Sequence, residues 1–179
     1  YHVSDFNTYI DAVISPLCEG RNQKLVIDAV REPGIEPLLD ILRINQIMFN
    51  LFSNAVKYTP EGGTITGTLR ESKASDTKLA IRFSVSDTGI GMSEQFQNVL
   101  FQPFTQENRN SNSEIRGSGL GLAIVKKIIE AMGGTINVKS KINEGTTFTI
   151  DLQSDFISEP DEISTQKMNT VDNNYACLA

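Results

Sequence analysis

Hydrophobic residues recur along this chain with two different periods, which separate the predicted helices from the predicted strands. Apolar side chains lie three and four residues apart in segments 4–18 and 40–58, which is the spacing of one helix face. A third helix is predicted over 120–134, where two glycines end it, and a short one over 93–99. The two clearest patterns predict amphipathic helices that each bury one face.

Five segments have the composition or the alternation of β-strands. In 78–87 apolar and polar residues alternate strictly, and Asp87 is in phase with the apolar residues. Thr146 is likewise in phase with the apolar residues of its own strand. The strict alternation places Asp87 at the rim of the core. The predicted strands are 24–30, 62–71, 78–87, 135–141 and 146–152, of which the last two form a hairpin.

Charge and composition limit the partners. The 179 residues carry a formal charge of −6, which argues against a surface for nucleic acid or an anionic membrane. Residues 154–179 are polar and acidic, and we predict a disordered tail or linker there, after one domain over 1–153. Two cysteines suggest no disulfide framework, and no stretch reaches the roughly 20 apolar residues of a membrane span. The start at Tyr1 suggests a piece of a longer protein.

Three polar residues share a narrow arc of the predicted helix 40–58. Asn50, Asn54 and Lys57 lie away from its apolar stripe, although asparagine is a poor helix former. Amide oxygens beside a cation suit Mg²⁺ that carries phosphates, because Mg²⁺ keeps few protein ligands. The alternative is a solvated face that tolerates asparagine. The stripe consists of Ile44, Ile47, Met48, Leu51, Phe52, Ala55 and Val56.

Glycines occupy every second position just before and within the start of the predicted helix 120–134. Gly117 and Gly119 end a polar segment, 102–119, that we interpret as a mobile loop, and Gly121 follows it. Glycine lets backbone approach a ligand, and a helix N-terminus offers free N–H groups to an anion. The pattern favours phosphate binding, with a plain hinge as the alternative. It is neither a P-loop, which ends in Gly-Lys-Ser/Thr, nor a dinucleotide fingerprint.

The tripeptide Asp87-Thr88-Gly89 also occurs in aspartic proteases. That chemistry needs a second such aspartate or a dimer, in an all-β chain. Here Ser86 precedes the aspartate, no second copy exists and three strong helices are predicted. A carboxylate at the rim of a core needs a hydrogen-bond donor, and the amino group of a flat heterocycle would supply one.

Four motifs, in this order, resemble those of the catalytic, ATP-binding domain of sensor histidine kinases, within the group that includes gyrase, mismatch-repair and heat-shock chaperone ATPases. DILRINQIMFNLFSNAVKYTPEGG resembles the N box, VSDTGIGM the first glycine box, LFQPFTQ the F box and GSGLGLAIVKKIIEAMGG the second glycine box. The resemblance covers residues 4–153. It implies an α+β fold: a two-layer α/β sandwich of the Bergerat type, with a mixed sheet of about five strands, about three helices on one face and a mobile ATP lid.

The resemblance also implies a role for each candidate residue. Asp87 would bind the adenine amino group with support from Thr146, and the backbone at Gly89 and Gly91 would pass close to the base. Asn50 and Asn54 would face Mg²⁺ and Lys57 the phosphates, and these three would be the catalytic residues. The other nucleotide contacts would be Tyr58 near the nucleoside, Phe101 and Phe104 at the first end of the lid, and Gly117, Gly119, Leu120 and Gly121 at the phosphates, with Arg109 and Arg116 as candidate lid cations.

The implied activity is protein histidine kinase. Members of the group that hydrolyse ATP carry glutamate where this chain has Asn50, and asparagine cannot accept a proton. The pocket is therefore expected to hold ATP for transfer. The one histidine, His2, lacks the following glutamate of a phosphoacceptor, and we interpret it as a surface residue.

The acceptor is therefore expected on a dimerisation and histidine phosphotransfer domain of the parent protein, with a response-regulator receiver domain as an indirect partner. The domain is expected to be a cytoplasmic monomer without contact to nucleic acid or membrane, from a membrane-anchored sensor. The alternatives are a nucleotide-gated interaction module and a serine kinase of the anti-sigma type with the same fold.

Overall fold

The computed structural model describes residues 3–106 and 118–158, and the helices, strands, cavity and contacts of the described chain lie within those ranges. The helices are α1 (Val3–Tyr9), which continues through a π-helical turn (Ile10–Ile14) into α2 (Ser15–Glu19), then α3 (Ile41–Tyr58), α4 (Glu94–Gln97) and α5 (Gly121–Ala131). The strands are β1 (Lys24–Val30), β2 (Ile35–Pro37), β3 (Thr64–Lys73), β4 (Lys78–Asp87), β5 (Thr135–Lys141) and β6 (Gly145–Ser158).

The strands form one mixed sheet with the order β1-β3-β4-β6-β2. Only β1 and β3 pair in parallel; the other pairs are antiparallel. Strand β6 is long enough to pair with β4 along one edge and with both β5 and β2 along the other. The predicted fold class is confirmed, with six strands in place of about five.

The core lies between the helices and one face of the sheet. The apolar stripe predicted on α3 is buried as expected, except that Ile44 is only partly covered. The ring of Phe52 meets that of Phe83 on β4 with centroids 6.2 Å apart. Burial of each such side chain contributes about 1.5–3 kcal/mol. The most deeply buried apolar side chains of the described residues are Ile14, Leu51, Phe52, Ile65, Leu79, Val125 and Ile129.

Local chemistry explains where two helices begin or change. Asp40 starts α3, because its carboxylate accepts a hydrogen bond from the N–H of Leu42 at 2.9 Å. The predicted helix 4–18 contains the π-helical turn just before Pro16. Proline has no N–H and its ring crowds the carbonyl four residues earlier, so a wider turn accommodates it.

The sheet extends further along the chain than its alternation predicts. Strand β6 was expected to end at Leu152, with the tail from residue 154, but it continues to Ser158 and pairs there with β2. Ser154 is buried, and its hydroxyl donates to the carbonyl of Leu38 at 3.1 Å. Strand β2 has three residues, too few to show alternation, so neither segment was predicted.

The remaining expectations about the ends of the chain concern residues outside the described ranges. These include the tail over 159–179, His2 and Cys177. Within the described ranges, every helix is too short or too polar to cross a lipid bilayer.

Candidate functional site

A cavity of about 650 Å³ opens where the end of β4, the second half of α3 and the start of α5 meet. These three elements carry most of the candidate residues predicted from the sequence, so the fold brings together side chains that are far apart in the chain. Nine of the candidates line the cavity: Asn50, Asn54, Lys57, Tyr58, Asp87, Gly91, Gly119, Gly121 and Thr146.

Asp87 and Thr146 form one end of the cavity. They are paired across the antiparallel strands β4 and β6, and each is more than nine-tenths buried. The Asp87 carboxylate accepts hydrogen bonds from the N–H of Gly89, at 2.8 Å, and from the backbone of Thr146. Burial raises the pKa of Asp87, and the two backbone hydrogen bonds lower it by less. This end of the cavity therefore presents an acceptor in a poorly solvated place.

The loop after Asp87 runs tightly against its neighbours. A Cβ atom at Gly91 would lie 1.9 Å from the carbonyl oxygen of Lys141, and Gly91 has a φ of +62°, so only glycine fits there. On the other side the N–H of Ile90 donates to the carbonyl of Tyr58 at 3.2 Å. The loop thereby joins the end of α3 to the β5–β6 hairpin.

The polar arc of α3 faces the start of α5. The side-chain amide of Asn50 donates from Nδ2 to the carbonyl of Gln46 at 2.8 Å. A Cβ atom on Gly121 would lie only 2.6 Å from Oδ1 of Asn50. Gly121 therefore gives the Asn50 oxygen room beside the cavity, and the side chain of Asn54 makes no hydrogen bond to the described residues. Nζ of Lys57 lies 4.9 Å from the ring centroid of Tyr58.

The side-chain oxygens of this arc suit a magnesium ion better than a metal that prefers nitrogen or sulfur ligands. Across the described residues, no cluster of three or more His, Cys, Asp or Glu side chains could hold a metal. Amide oxygens such as Asn50 and Asn54 are hard ligands, and Mg²⁺ takes most of its coordination from water and substrate phosphates. The site could therefore hold Mg²⁺ only together with a ligand that supplies further oxygens.

The residues that flank the segment 105–118 meet beside the cavity. The N–H of Phe104 donates to the carbonyl of Gly119 at 3.0 Å, and the cavity wall includes Thr105, Gln106 and Ser118. Phe104 has a φ of +64°, which is unusual for a residue with a side chain. Gly117, Arg109 and Arg116, predicted to act in this segment, lie outside the described residues.

Four predicted residues lie beside the cavity and do not line it. Gly89 holds the Asp87 carboxylate, as described above. Phe101 packs against the core, with Nζ of Lys126 5.4 Å from its ring centroid. Phe104 is largely exposed, and Leu120 precedes α5 with its N–H directed at the Ser118 hydroxyl, 3.3 Å away.

The apolar wall of the cavity and four of its polar residues were not predicted from the sequence. Phe148 could have been found, because it lies two residues after Thr146 on the same strand face. Asn143 belongs to the β5–β6 turn, and only the hydrogen bond from its N–H to the carbonyl of Ile90, at 2.9 Å, brings it to the site. The lining residues that were not predicted are Ala55, Ile90, Met92, Phe96, Leu100, Thr105, Gln106, Ser118, Leu122, Asn143 and Phe148.

Known proteins share this sequence pattern and fold. Curated relatives include the autoinducer 2 sensor kinase/phosphatase LuxQ of Vibrio parahaemolyticus, 36% identical over 153 residues, which are 85% of this chain and 18% of that protein. Another is the sensor histidine kinase GacS of Pseudomonas protegens, 39% identical over 140 residues, or 78% of this chain and 15% of that protein. The chain therefore spans less than a fifth of the length of these relatives.

Solved structures with a similar fold include histidine kinases. The catalytic domain of histidine kinase ThkA aligns with a TM-score of 0.66 and 27% identity, covering 84% of this chain and 95% of that domain. Full-length ShkA, solved in complex with AMPPNP, aligns with a TM-score of 0.67 and 29% identity, covering 87% of this chain and 30% of that one.

The model of one protein family matches residues 39–155, which include α3, the Asp87 loop, α5 and most of β6. The chain therefore belongs to the histidine kinase-, DNA gyrase B- and HSP90-like ATPase family.

Proposed function

We propose that this chain binds Mg-ATP in the 650 Å³ cavity and donates the γ-phosphate to a histidine on another domain of a sensor histidine kinase. The observation that carries the proposal is the buried Asp87 carboxylate at the cavity wall, opposite Thr146. Its family membership and the AMPPNP in the related ShkA structure support the choice of nucleotide.

The adenine base is assigned to the Asp87 end. A buried carboxylate without a donor from the ligand is unfavourable, and the exocyclic amino group of adenine would supply that donor. The wall beside it is apolar and includes Ile90, Met92 and Phe148, which suits a flat aromatic ring. Gly89 and Gly91 keep the loop backbone close to this end.

The triphosphate is assigned to the space between α3 and the start of α5. Asn50 and Asn54 would hold Mg²⁺, which neutralises phosphate charge when bound, and Lys57 would add a cation. The N-terminus of α5, with Gly119, Leu120 and Gly121 and the neighbouring Gly117, would offer backbone N–H groups to the phosphates. Tyr58 would lie near the nucleoside, and Phe101 and Phe104 would support the first end of the lid.

The described lining of the cavity is suited to transfer and supplies no base for hydrolysis. Among the described lining residues Asp87 is the only carboxylate and histidine is absent. Asn50 stands where a general base would act on water, and an amide cannot take a proton. We infer that the chain holds ATP until an imidazole from another domain attacks, which requires mainly positioning and charge neutralisation.

The remaining components are proposed for the parent protein. The one histidine, His2, is not followed by the glutamate of a phosphoacceptor, so a dimerisation and phosphotransfer domain would carry the acceptor, and a receiver domain would take the phosphoryl group later. We place the domain in the cytoplasm as a monomer, without contact to nucleic acid or membrane.

Calorimetric titration with ATP tests the site assignment. Asp87→Asn should weaken ATP binding at least tenfold, because the amide carries no charge and offers the ligand a weaker acceptor. Asp151→Asn is the matched control, since Asp151 pairs with Arg82 on the other face of the same sheet. Unchanged ATP affinity in Asp87→Asn would contradict the assignment of the adenine base to Asp87.

Phosphotransfer is tested by adding labelled ATP and a purified histidine phosphotransfer domain from the same parent. The proposal expects label on that domain in an acid-labile, base-stable bond. An acid-stable product would instead indicate a serine kinase, and ATP-dependent partner binding without any transfer would indicate a nucleotide-gated module.

A further inference from the structure

Ser140 lies behind the cavity wall, on β5, and contacts the site only through its neighbours. Its hydroxyl oxygen is 2.8 Å from the backbone nitrogen of Met92, 2.9 Å from the carbonyl oxygen of Gly145 and 2.9 Å from Oγ1 of Thr146. The first contact holds the loop after Asp87, and the third reaches a residue that lines the cavity. One side chain thus joins both parts of the wall that we assign to adenine.

The partners of Ser140 determine where its single proton goes. The carbonyl of Gly145 can only accept, and the N–H of Met92 can only donate. Ser140 therefore gives its proton to Gly145 and accepts from Met92. Its second lone pair remains for Thr146, so the Thr146 hydroxyl is the donor in the contact between them.

We propose that Ser140 is a positioning residue that fixes the direction of the Thr146 hydroxyl and thereby makes the base end of the cavity select a 6-amino purine over a 6-oxo purine. With its proton held by Ser140, Thr146 presents only lone pairs to the ligand. The Asp87 carboxylate beside it is also an acceptor. The inference rests on the proposed assignment of adenine to this end.

Two acceptors side by side distinguish the two purine classes by chemistry. An exocyclic amino group has two N–H donors, which can supply one hydrogen bond to each of these two acceptors. A 6-oxo group is an acceptor, and buried lone pairs that face each other without a proton are unfavourable. If Thr146 could turn its proton toward the ligand, it would donate to a 6-oxygen and part of this discrimination would disappear.

The same sheet contains a matched pair on its opposite face. Oγ of Ser86 and Oγ1 of Thr147 are 2.8 Å apart, across the same two strands that carry Asp87 and Thr146. Ser86 and Thr147 do not line the cavity. Ser86→Ala therefore removes a comparable serine–threonine hydrogen bond at a place that does not contact the ligand.

The experiment measures the affinities of ATP and inosine triphosphate by competition against a fluorescent adenine nucleotide, on the full 179-residue chain. Ser140→Ala should lower the ratio of the inosine to the adenosine dissociation constant by roughly three- to tenfold. Ser86→Ala should leave the ratio unchanged. Unfolding temperatures are recorded for each variant. If Ser140→Ala does not fold, Ser140→Cys takes its place, because cysteine keeps the side-chain size but is a poor acceptor, and the same decrease in the ratio is expected.

A double-mutant cycle shows whether Ser140 acts through Thr146. In a Thr146→Val background, which keeps the shape and removes the hydroxyl, Ser140→Ala should no longer change the ratio. The inference about Ser140 would be overturned by a ratio that stays constant in Ser140→Ala, or by one that falls equally in the Thr146→Val background. Neither result would contradict the proposed ATP binding. Failure of the unaltered chain to bind ATP would overturn the proposed function together with it.

Discussion

Asp87 and Thr146 face each other across β4 and β6, and both keep less than a tenth of their surface exposed although both side chains are polar. The strands also place the backbone of Thr146 against the Asp87 carboxylate. A pair of acceptors at the wall of a cavity is unfavourable for the empty domain and useful for ligand binding. The first prediction follows from this conflict.

Asp87→Asn should raise the free energy of unfolding of the ligand-free domain at pH 7, on the order of 1 kcal/mol, while it weakens ATP binding. Burial raises the pKa of Asp87 in the folded state, so the charged form destabilises the fold at neutral pH. This penalty begins to decrease as the pH falls through the raised folded-state pKa, and it is gone below the ordinary pKa of aspartate in the unfolded chain. Urea unfolding at several pH values should therefore show the wild type and Asp87→Asn converging toward acid, and a constant gap would contradict the assignment.

Asn54→Ala should reduce the magnesium-dependent part of ATP binding by about tenfold and affect binding without metal much less. The side chain of Asn54 has no hydrogen bond to the described residues, and alanine is the better helix former, so the ligand-free domain should become slightly more stable. Thermal-shift titrations with ATP, with and without Mg²⁺, measure both effects. Asn137→Ala, on the exposed side of β5, is the control.

Gly121→Ala should destabilise the domain by about 1–3 kcal/mol, because the new methyl group would meet Oδ1 of Asn50. In an Asn50→Ala background the same substitution should be neutral or stabilising, since the obstructing oxygen is gone and alanine favours the helix by about 1 kcal/mol over glycine. Chemical denaturation of the four proteins gives the coupling energy. Equal costs in both backgrounds would show that Asn50 and Gly121 do not meet.

Phe104→Gly should be more stable than Phe104→Ala by about 1 kcal/mol. The φ of +64° at Phe104 is costly for any residue with a Cβ atom, and alanine retains that cost whereas glycine does not. The ring itself is largely exposed, so both variants lose little burial. Urea unfolding of both variants measures the difference, and a more stable alanine variant would contradict the strained backbone.

Glu71→Ala should destabilise the fold by about 3 kcal/mol, because it leaves the buried guanidinium of Arg31 with a longer contact to Glu36 alone. Arg31 Nε and Glu71 Oε2 are 3.0 Å apart, with only 13% and 2% of these side chains exposed. Asp28→Ala, which breaks an exposed pair with Arg70 in the same sheet, should cost at most about 1 kcal/mol. Comparable losses in both variants, measured by denaturation, would argue against this account of burial.

Much of the fold was predictable because its periodic segments are local. Strand β1 and strand β4 have the predicted bounds, and the buried stripe of α3 is largely the predicted one. The phase of Asp87 followed from the alternation of β4 alone. The end of β6 was not predictable, because its last residues belong to the sheet only through pairing with the three-residue strand β2.

The sequence by itself determined which residues carry the chemistry: an acidic group in phase with a buried strand face, two amides and a lysine on one helix arc, and glycines ahead of a helix. These properties depend on period and residue type, which are local. Only the tertiary structure decided that they share one cavity, that Gly121 makes room for Asn50 and that Ser140 stands behind Thr146. Such contacts depend on strand register and on packing between distant segments, which a period along the chain does not contain.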